Sequence, residues 1–197
     1  MKKGYFFDFD GTLTRSDSMF LFLRFYHPIL YYIQCLIFSP AFVLLKLGFL
    51  GADEMKRKFI SSILKGERKT KIEKKSEEFF AVFYPKLIRE NALEYIEKLD
   101  KQEANIFIVT ASLDIWVKPF AEKWGCELIS TRAKYTEGKY SGYFVGKNCN
   151  GQEKVKRIRE VLKAKNIFLH KTIAFGDTSG DIPMIRWADE GFYRYFD

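Results

Sequence analysis

Two short apolar segments at opposite ends of the chain, each followed by paired aspartates, constrain the fold more than any other feature. The first ends in Asp8-Phe9-Asp10-Gly11-Thr12 and the second in Gly176-Asp177-Thr178-Ser179-Gly180-Asp181. Each apolar segment predicts a buried strand, and in an open α/β sheet ligands bind just beyond the carboxyl ends of the strands. Four acidic side chains delivered to that edge would repel one another unless a cation lies among them. The pattern therefore predicts a sheet with a divalent metal site.

Composition and charge narrow the class of protein. The chain has 197 residues, of which 47% are hydrophobic and 17% aromatic, so it can bury a sizeable core. The net charge of +8 suits an anionic substrate, an acidic membrane surface or nucleic acid. No nucleic-acid-binding module with aromatic stacking positions is present, so no nucleic-acid partner is expected.

The cysteines and histidines indicate the compartment and the type of metal. Cys35, Cys126 and Cys149 are odd in number and form no Cys-x-x-Cys pair, which is typical of reduced thiols in a cytoplasmic protein. With only two histidines the chain also lacks a soft-ligand zinc set, so the expected cofactor is Mg²⁺ held by oxygen atoms. No secretory signal is visible, because Asp8 and Asp10 interrupt the apolar run that should follow Lys2-Lys3.

The order of predicted elements gives the architecture. Strands are predicted at 5–9, 105–109, 127–131 and 172–175, a hairpin at 135–145, an edge strand at 191–196, and helices at 113–124, 152–165 and 182–187. Residues 16–90 are predicted to be helical, very apolar over 19–50, and a charged helical stretch over 71–99 breaks near Pro85. We therefore predict an α/β fold: a Rossmann-like parallel sheet core over 1–15 and 91–197, with a small β-hairpin and an all-helical cap inserted over 16–90.

The first acid pair is the strongest chemical signal. Asp8 and Asp10 are two residues apart at a strand end, where both can point towards one face, and Gly11 lets the chain turn away at once. An acid-rich surface turn would be a simpler explanation for an Asp-Gly pair. That explanation leaves the second acid pair, after 172–175, without a reason.

Two further motifs have both a structural and a functional interpretation. Thr110-Ala111-Ser112 follows a strand and opens a helix, which suits either an anion cradle or an ordinary helix cap by Ser112. Lys154 lies in the first turn of a helix, where it opposes the helix dipole unless it faces a phosphate. The nearby Lys147, Lys156 and Lys163 are alternatives for that role.

Together these motifs resemble those of a known family. In chain order, acid-x-acid-Gly-Thr, a strand-end Thr, a helix-start Lys and Gly-Asp-x-x-x-Asp are similar to the four motifs of the haloacid dehalogenase superfamily, in its phosphoserine-phosphatase-like branch, subfamily IB. The resemblance spans essentially the whole chain. It implies a Mg²⁺-dependent phosphomonoesterase that forms an aspartyl-phosphate, and the acid at Asp10, which dehalogenases lack, favours phosphate chemistry.

The resemblance also assigns roles to residues. It implies Asp8 as nucleophile, Asp10 as general acid and base, and Thr110 and Lys154 as the groups that neutralise the phosphoryl oxygens. The implied metal ligands are Asp8, Asp10 through its backbone carbonyl, Asp177 and Asp181. The implied phosphate-binding residues are Gly11, Thr12, Thr110, Ala111, Ser112 and Lys154.

The substrate is less constrained than the reaction. Asp17 lies where phosphoserine phosphatases carry a carboxylate that binds the substrate amine, and Lys58, with Arg57 adjacent, is nearest to their carboxylate-binding Arg. The expected substrate is a small phosphorylated metabolite such as phosphoserine. Lys cannot replace Arg in bidentate carboxylate binding, so this specificity is an open question.

The apolar segment offers a second substrate class. Residues 29–45 are uncharged, but Pro40 divides them into pieces too short to cross a bilayer, and one crossing would separate Asp8 from Thr110 and Asp177. Apolar helices packed on the core or in a dimer are the simpler expectation; shallow contact with an anionic membrane through 19–50 is the alternative. Leu23-Arg24-Phe25 and the segment 149–155 are similar to phosphatidylglycerophosphatases of this branch, which makes a phospholipid head group the second candidate substrate.

Two further classes of function compete with an enzyme. A non-catalytic aspartyl-phosphate switch of the receiver type also uses Asp, Mg²⁺ and Lys, but it carries the acceptor Asp on a later strand and has no large helical insertion. A membrane-binding module with a vestigial site would not need all of Asp8, Asp10, Lys154, Asp177 and Asp181. The sequence leaves the oligomeric state open.

Overall fold

The protein, described here from a computed structural model, has a mostly parallel sheet with helices on both faces. The structure describes residues 2–49 and 51–197, without the side chains of Lys46 and Pro85. The strands are β1 (Lys2–Phe7), β2 (Ala104–Leu113), β3 (Glu127–Thr136), β4 (Lys139–Val145), β5 (Leu169–Gly176) and β6 (Glu190–Tyr193). The helices are α1 (Ser18–Tyr26), α2 (Pro28–Lys46), α3 (Ala52–Leu64), α4 (Lys69–Leu87), α5 (Glu90–Glu97), α6 (Asp114–Trp124), α7 (Gln152–Ala164) and α8 (Ile182–Trp187).

The sheet has the order β4-β3-β2-β1-β5-β6. Strands β1, β2, β3, β5 and β6 pair in parallel, and β4 returns antiparallel beside β3 as the predicted hairpin. In β1 the aromatic side chains alternate between faces: Phe6 packs beneath α7 and α8, and Phe7 packs with the larger helical layer. The predicted α/β class with a mostly parallel sheet and a hairpin is confirmed.

Strand ends differ from the prediction at two places that matter for the site. Strand β1 ends at Phe7 rather than at residue 9, so Asp8 is the first residue beyond the strand and Asp10 lies in the following turn. Strand β2 runs to Leu113, and its pairing with β3 shifts register between Thr110 and Leu113. Thr110, Ala111 and Ser112 therefore lie in an irregular strand end, and α6 begins only at Asp114.

The segment between β1 and β2 is helical, as predicted, and contributes α1 to α4 before α5. Pro40 does not divide the apolar segment: α2 continues through it from Pro28, where proline sits at the first helical positions and is well tolerated. The break expected near Pro85 follows at Ile88 and Arg89, where α4 gives way to α5.

Helix α2 is unusual for its exposure. Within the described chain, the window Pro28–Leu45 is the one helical stretch whose length and apolar composition would suffice to span a membrane, and none of that window is buried. The expectation that this segment packs over the core holds for only one of its faces. The other face is open to solvent.

Candidate active site

Asp8 is positioned by β1, which it follows, and by the neighbouring strand β5. Its backbone N–H donates a hydrogen bond to the carbonyl of Phe175 on β5, at 2.9 Å, and the residue is 6% exposed. Because β1 lies between β2 and β5, a side chain directly after β1 meets the residues that follow both neighbours. The strand order therefore explains why residues far apart in sequence gather at Asp8.

The turn after Asp8 reaches the second acid cluster. Thr12 donates its hydroxyl to Oδ1 of Asp177 at 2.8 Å. Gly11 has a φ of 85°, and a Cβ at this position would lie 2.3 Å from Oδ2 of Asp177, closer than real Cβ contacts allow. Glycine is thus required both by the backbone conformation and by the approach of Asp177.

Asp181 is held by the turn that precedes it. Its Oδ2 accepts hydrogen bonds from the backbone N–H groups of Asp177 and Thr178, at 3.2 and 2.9 Å, and from the Thr178 hydroxyl at 2.7 Å. The other oxygen, Oδ1, accepts from Lys154 Nζ at 2.6 Å. The residue is 1% exposed, so both oxygens are positioned by the protein rather than by solvent.

Lys154 lies between the two acid clusters. Its Nζ donates to Oδ1 of Asp8 at 2.5 Å and to the Val109 carbonyl at 2.7 Å, besides the bond to Asp181. All three donor positions of the ammonium are used, and the side chain is buried. Lys147, Lys156 and Lys163, the alternatives considered from the sequence, are exposed on the surface.

Burial and neighbouring charges shift the pKa values of Asp8, Asp177 and Asp181. Burial raises the pKa of Asp8 to about 8, against the opposing effect of Lys154 and with a further contribution from Asp181. Burial also raises the pKa of Asp177. For Asp181, burial alone would raise the pKa, but Lys154 and the Thr178 hydrogen bonds outweigh it and hold that pKa below its usual range.

Lys154 is charged in this surrounding. Desolvation would lower its pKa, but Asp8 and Asp181 outweigh that effect and raise the pKa above its ordinary value. One ammonium group therefore faces three carboxylates, because oxygen atoms of Asp8, Asp177 and Asp181 all lie within 4.8 Å of one another.

The Asp10 carboxylate lies apart from that group. Its Oδ1 accepts a hydrogen bond from the backbone N–H of Ser18 at 2.6 Å, and its Oδ2 accepts a short one from the Ser112 hydroxyl. Ser112 thus orients Asp10 instead of capping a helix, and the N-cap of α6 is Leu113, which makes no side-chain capping bond. The Asp10 side chain is therefore engaged elsewhere, and its predicted ligand role remains one for the backbone carbonyl, beside the side chains of Asp8, Asp177 and Asp181.

Thr110 and Ala111 accept hydrogen bonds near the Ser112 hydroxyl that holds Asp10. Thr110 is buried, and its Oγ1 accepts from the backbone N–H of Ser112 at 3.0 Å, so this amide is not free to bind an anion. The Ala111 carbonyl accepts from Lys56 Nζ at 2.9 Å and from the Thr131 hydroxyl at 2.8 Å. The prediction that Thr110 to Ser112 open a helix is wrong, because β2 continues past them to Leu113. A phosphate-binding role of Ala111 stays a prediction.

Three consecutive basic residues of α3, Lys56, Arg57 and Lys58, contact different partners. Lys56 reaches the site, where burial lowers its pKa and the charges of Asp10 and Asp17 partly oppose that effect. Arg57 donates to the Gly142 carbonyl and lies over the Tyr143 ring, 4.8 Å from its centroid. Lys58 forms an ion pair with Glu54 at 3.0 Å. Arg57 and Lys58, chosen from the sequence, thus have other partners, and Lys56 was missed.

The helical period could have identified Lys56. It lies four residues before Ile60 and seven before Ile63, both of which are buried, so it shares their inward face of α3.

Asp17, the other predicted specificity residue, caps α1: its Oδ1 accepts a hydrogen bond from the Met19 N–H at 2.8 Å. Although the residue is exposed, desolvation of its carboxyl and the charge of Asp10 raise the pKa of Asp17 to about 6, while Lys56 lowers it.

Sequence and structure comparisons agree with this geometry. A profile of the haloacid dehalogenase-like hydrolases matches residues 5–186. Protein CicA of Caulobacter vibrioides, strain NA1000 / CB15N, is 36% identical over 192 residues, which are 96% of this chain and 85% of that protein. The chain therefore belongs to the haloacid dehalogenase-like hydrolase family.

Solved structures show the same fold. A Bordetella pertussis Tohama I protein of unknown function has a TM-score of 0.83 at 18% identity, covering 95% of this chain and 87% of that one. A phosphoserine phosphatase, as a phospho-aspartyl intermediate analogue, has a TM-score of 0.66 at 25% identity, covering 98% of this chain and 85% of that one. The protein is thus an enzyme of the hydrolase class, and the likeness to phosphoserine phosphatase supports the predicted phosphatase.

Proposed function

We propose that the protein is a Mg²⁺-dependent phosphomonoester hydrolase that works through an aspartyl-phosphate on Asp8, with α1 to α4 (residues 16–90) acting as its cap. The observation that carries the proposal is the convergence of Asp8, Asp177 and Asp181 within 4.8 Å, with Lys154 between the acid clusters. This arrangement supplies a nucleophile, a cation site and a fixed positive charge in one place. A location in the cytoplasm stays a prediction.

The residues of this cluster fit a hard divalent cation. All three side chains offer oxygen donors. Burial raises the pKa of Asp8, and Lys154 offsets that effect only in part, so a second cation would stabilise the ionised carboxylate. Asp8, Asp177 and Asp181, with the Asp10 backbone carbonyl, would hold Mg²⁺. When bound, the ion neutralises charge on the phosphoryl oxygens.

The chain's own groups account for the proton and bond changes. An Asp8 oxygen bonds to phosphorus as the ester oxygen leaves, and Asp10 gives that oxygen its proton. Asp10 then takes a proton from the water that hydrolyses the acyl phosphate. The Ser18 N–H and the Ser112 hydroxyl each hold one Asp10 oxygen, which fixes the orientation of that carboxyl. Lys154 and Thr110 stabilise the negative charge that develops.

Replacing the nucleophile tests this assignment. Asp8→Asn should lower turnover of p-nitrophenyl phosphate by at least about a thousandfold, because the amide cannot form the acyl phosphate. The matched control is Asp100→Asn, an exposed aspartate whose acceptor role towards the Gln102 N–H the amide can keep. Circular dichroism of both variants verifies the fold. Normal turnover by Asp8→Asn would remove Asp8 as nucleophile.

Trapping distinguishes the enzyme from a phosphoprotein switch. Acid quenching during turnover should capture a hydroxylamine-labile phosphate on the wild-type chain and none on Asp8→Asn. The captured phosphate should disappear within a turnover time once substrate is exhausted. A phosphoprotein that persists for many minutes would favour the switch.

The substrate proposed first is a small phosphorylated metabolite such as phosphoserine. Lys56 and Asp17 are opposite charges near Asp10, which suits a substrate that carries both an anionic and a cationic group. Lys56 is a point charge rather than a bidentate guanidinium, so the anionic group need not be a carboxylate. A screen of phosphorylated metabolites should rank amine-containing phosphomonoesters above neutral ones, and Lys56→Met should raise KM more than it lowers kcat.

A lipid phosphomonoester is the second candidate, and the solvent-exposed face of α2 favours it. Phosphatidylglycerophosphate and phosphatidate in mixed micelles belong in the same screen. A kcat/KM for either lipid well above that for phosphoserine would make it the substrate. Comparable values for lipid and water-soluble esters would favour the metabolite.

A further inference from the structure

Helix α2 has two apolar faces, and only one of them packs against the protein. On the inner face Tyr31, Phe38 and Phe42 surround Phe59 of α3, with ring centroids 6.1, 5.5 and 5.5 Å from it. Helices of globular proteins that pack on one side carry polar residues on the other. In α2 the second face is apolar as well.

The outer face is a continuous stripe of exposed aliphatic and aromatic side chains. Leu36 is 76% exposed and Ile29 72% exposed. From Ile29 to Leu36 a spacing of three or four residues places these side chains on one line along the helix, and Val43 continues that line two turns after Leu36. An exposed patch of this kind marks an interaction site, because leaving it in water is unfavourable. The outer stripe consists of Ile29, Tyr32, Ile33, Leu36, Val43 and Leu47.

The charges around the outer stripe indicate what covers it. From Ser18 to Ala52 the sequence contains Arg24 and Lys46 but no Asp or Glu. Arg24 is exposed and acts on Tyr31 of α2 through its charge. Beside the helix, Glu54 is neutralised by its ion pair with Lys58. Apolar side chains on a segment that carries cations and no acidic residues match an anionic lipid surface.

The connections of α2 decide its orientation on such a surface. The α1 helix before it begins with the Ser18 N–H bound to Asp10, and the α3 helix after it brings Lys56 to the Ala111 carbonyl. The helices on both sides of α2 are therefore anchored at the same site. A helix that crossed a bilayer would pull one of these contacts to the opposite side.

We propose that α2 lies flat on an anionic lipid bilayer, with the outer stripe inserted at the boundary between head groups and acyl chains. Arg24 then lies at the level of the lipid phosphates. The inference concerns binding and does not depend on the phosphatase reaction. The bilayer positions the cleft beside the membrane whichever phosphomonoester the enzyme hydrolyses.

Flotation with lipid vesicles tests the proposal on the full-length protein. Vesicles of phosphatidylcholine alone are compared with vesicles that also contain phosphatidylglycerol, at low and high salt. The test variant is Ile33→Gln with Leu36→Gln, and the matched control is Phe168→Gln, which removes a side chain that is 75% exposed on the loop between α7 and β5. Turnover of p-nitrophenyl phosphate reports that each variant is folded.

Binding should require both parts of the surface. We expect the wild type and Phe168→Gln to float with phosphatidylglycerol vesicles and to bind less well in high salt. The double variant should bind at least about tenfold more weakly, because two apolar side chains no longer insert. Arg24→Gln should weaken binding to the vesicles that contain phosphatidylglycerol and should leave any binding to phosphatidylcholine vesicles unchanged.

Three outcomes would overturn the proposal. The first is an absence of vesicle binding by a wild type that is active. The second is equal binding to neutral and anionic vesicles, which would remove the role of charge. The third is a dimer in sedimentation velocity that the double variant dissociates while vesicles fail to bind, which would assign the outer stripe to a second copy of the chain.

Discussion

Gly11 allows the two ends of the chain to share one pocket. Its positive φ turns the chain directly after Asp8 and Asp10, and its missing side chain leaves room for Asp177. Any other residue would place a Cβ 2.3 Å from a carboxylate oxygen of Asp177, which is closer than real contacts allow. The site therefore requires glycine at position 11 as well as the acidic residues.

Gly11→Ala should show this dependence. The matched control is Gly66→Ala, because Gly66 has nearly the same φ, 84° against 85°, but nothing within 4 Å of its Cβ position. Both variants should lose about 1 kcal/mol of unfolding free energy from the left-handed backbone. Only Gly11→Ala should also lose most of its phosphatase activity, because Asp177 must move. Equal kcat/KM values for the two variants would contradict this account.

Individual residues also show the limit of reading chemistry from sequence. The motif residues Asp8, Lys154, Asp177 and Asp181 converge as expected, because strands β1 and β5 are neighbours. The sequence pointed to Lys58 and Arg57 rather than Lys56, because they lie nearest to the position of the carboxylate-binding Arg in phosphoserine phosphatases. Only the rotation of α3 against the core distinguishes them, and that rotation follows from which side chains are buried.

At the scale of elements, α2 is a continuous helix although its sequence contains an internal proline. Pro40 is exposed in its middle, where proline removes a backbone hydrogen bond and crowds the preceding turn. The helix persists because Tyr31, Phe38 and Phe42 on both sides of Pro40 are anchored on Phe59. Tertiary packing thus overrides the local preference that predicted two separate pieces.

Pro40→Ala should raise the free energy of unfolding by about 1 to 3 kcal/mol, because alanine restores the missing donor. Pro28→Ala is the control, since proline at the first helical positions costs little and its replacement should be near neutral. Urea unfolding followed by circular dichroism measures both. A stabilisation no larger than that of Pro28→Ala would show that α2 is already distorted at Pro40.

At the scale of the whole molecule, the cation site links the two ends of the chain. Asp8 follows β1, while Asp177 and Asp181 follow β5, so a bound ion would connect elements separated by most of the sequence. Without it the folded state keeps one ammonium against three carboxylates. The fold should therefore be more stable with the ion than without it.

Mg²⁺ should raise the unfolding free energy by about 2.7 kcal/mol at a hundred times its dissociation constant. EDTA should reverse the effect and abolish phosphatase activity together. Asp177→Asn should lose most of the Mg²⁺ response in a thermal melt, while Asp100→Asn should keep it. A melting temperature that Mg²⁺ leaves unchanged in the active wild type would contradict the proposed cation site.

The sequence alone determined the alternation of strands and helices, the carboxyl edge that carries the acids, and the four motifs, because each depends on local pattern and on the period of the backbone. It did not determine where β1 and β2 end, that α2 continues through Pro40, or which cation of α3 turns inward. Those depend on pairing register and on side chains brought together from distant segments. Tertiary structure alone decided that Ser112 holds Asp10 rather than a helix end, because the register shift in β2 turns its hydroxyl towards that carboxylate.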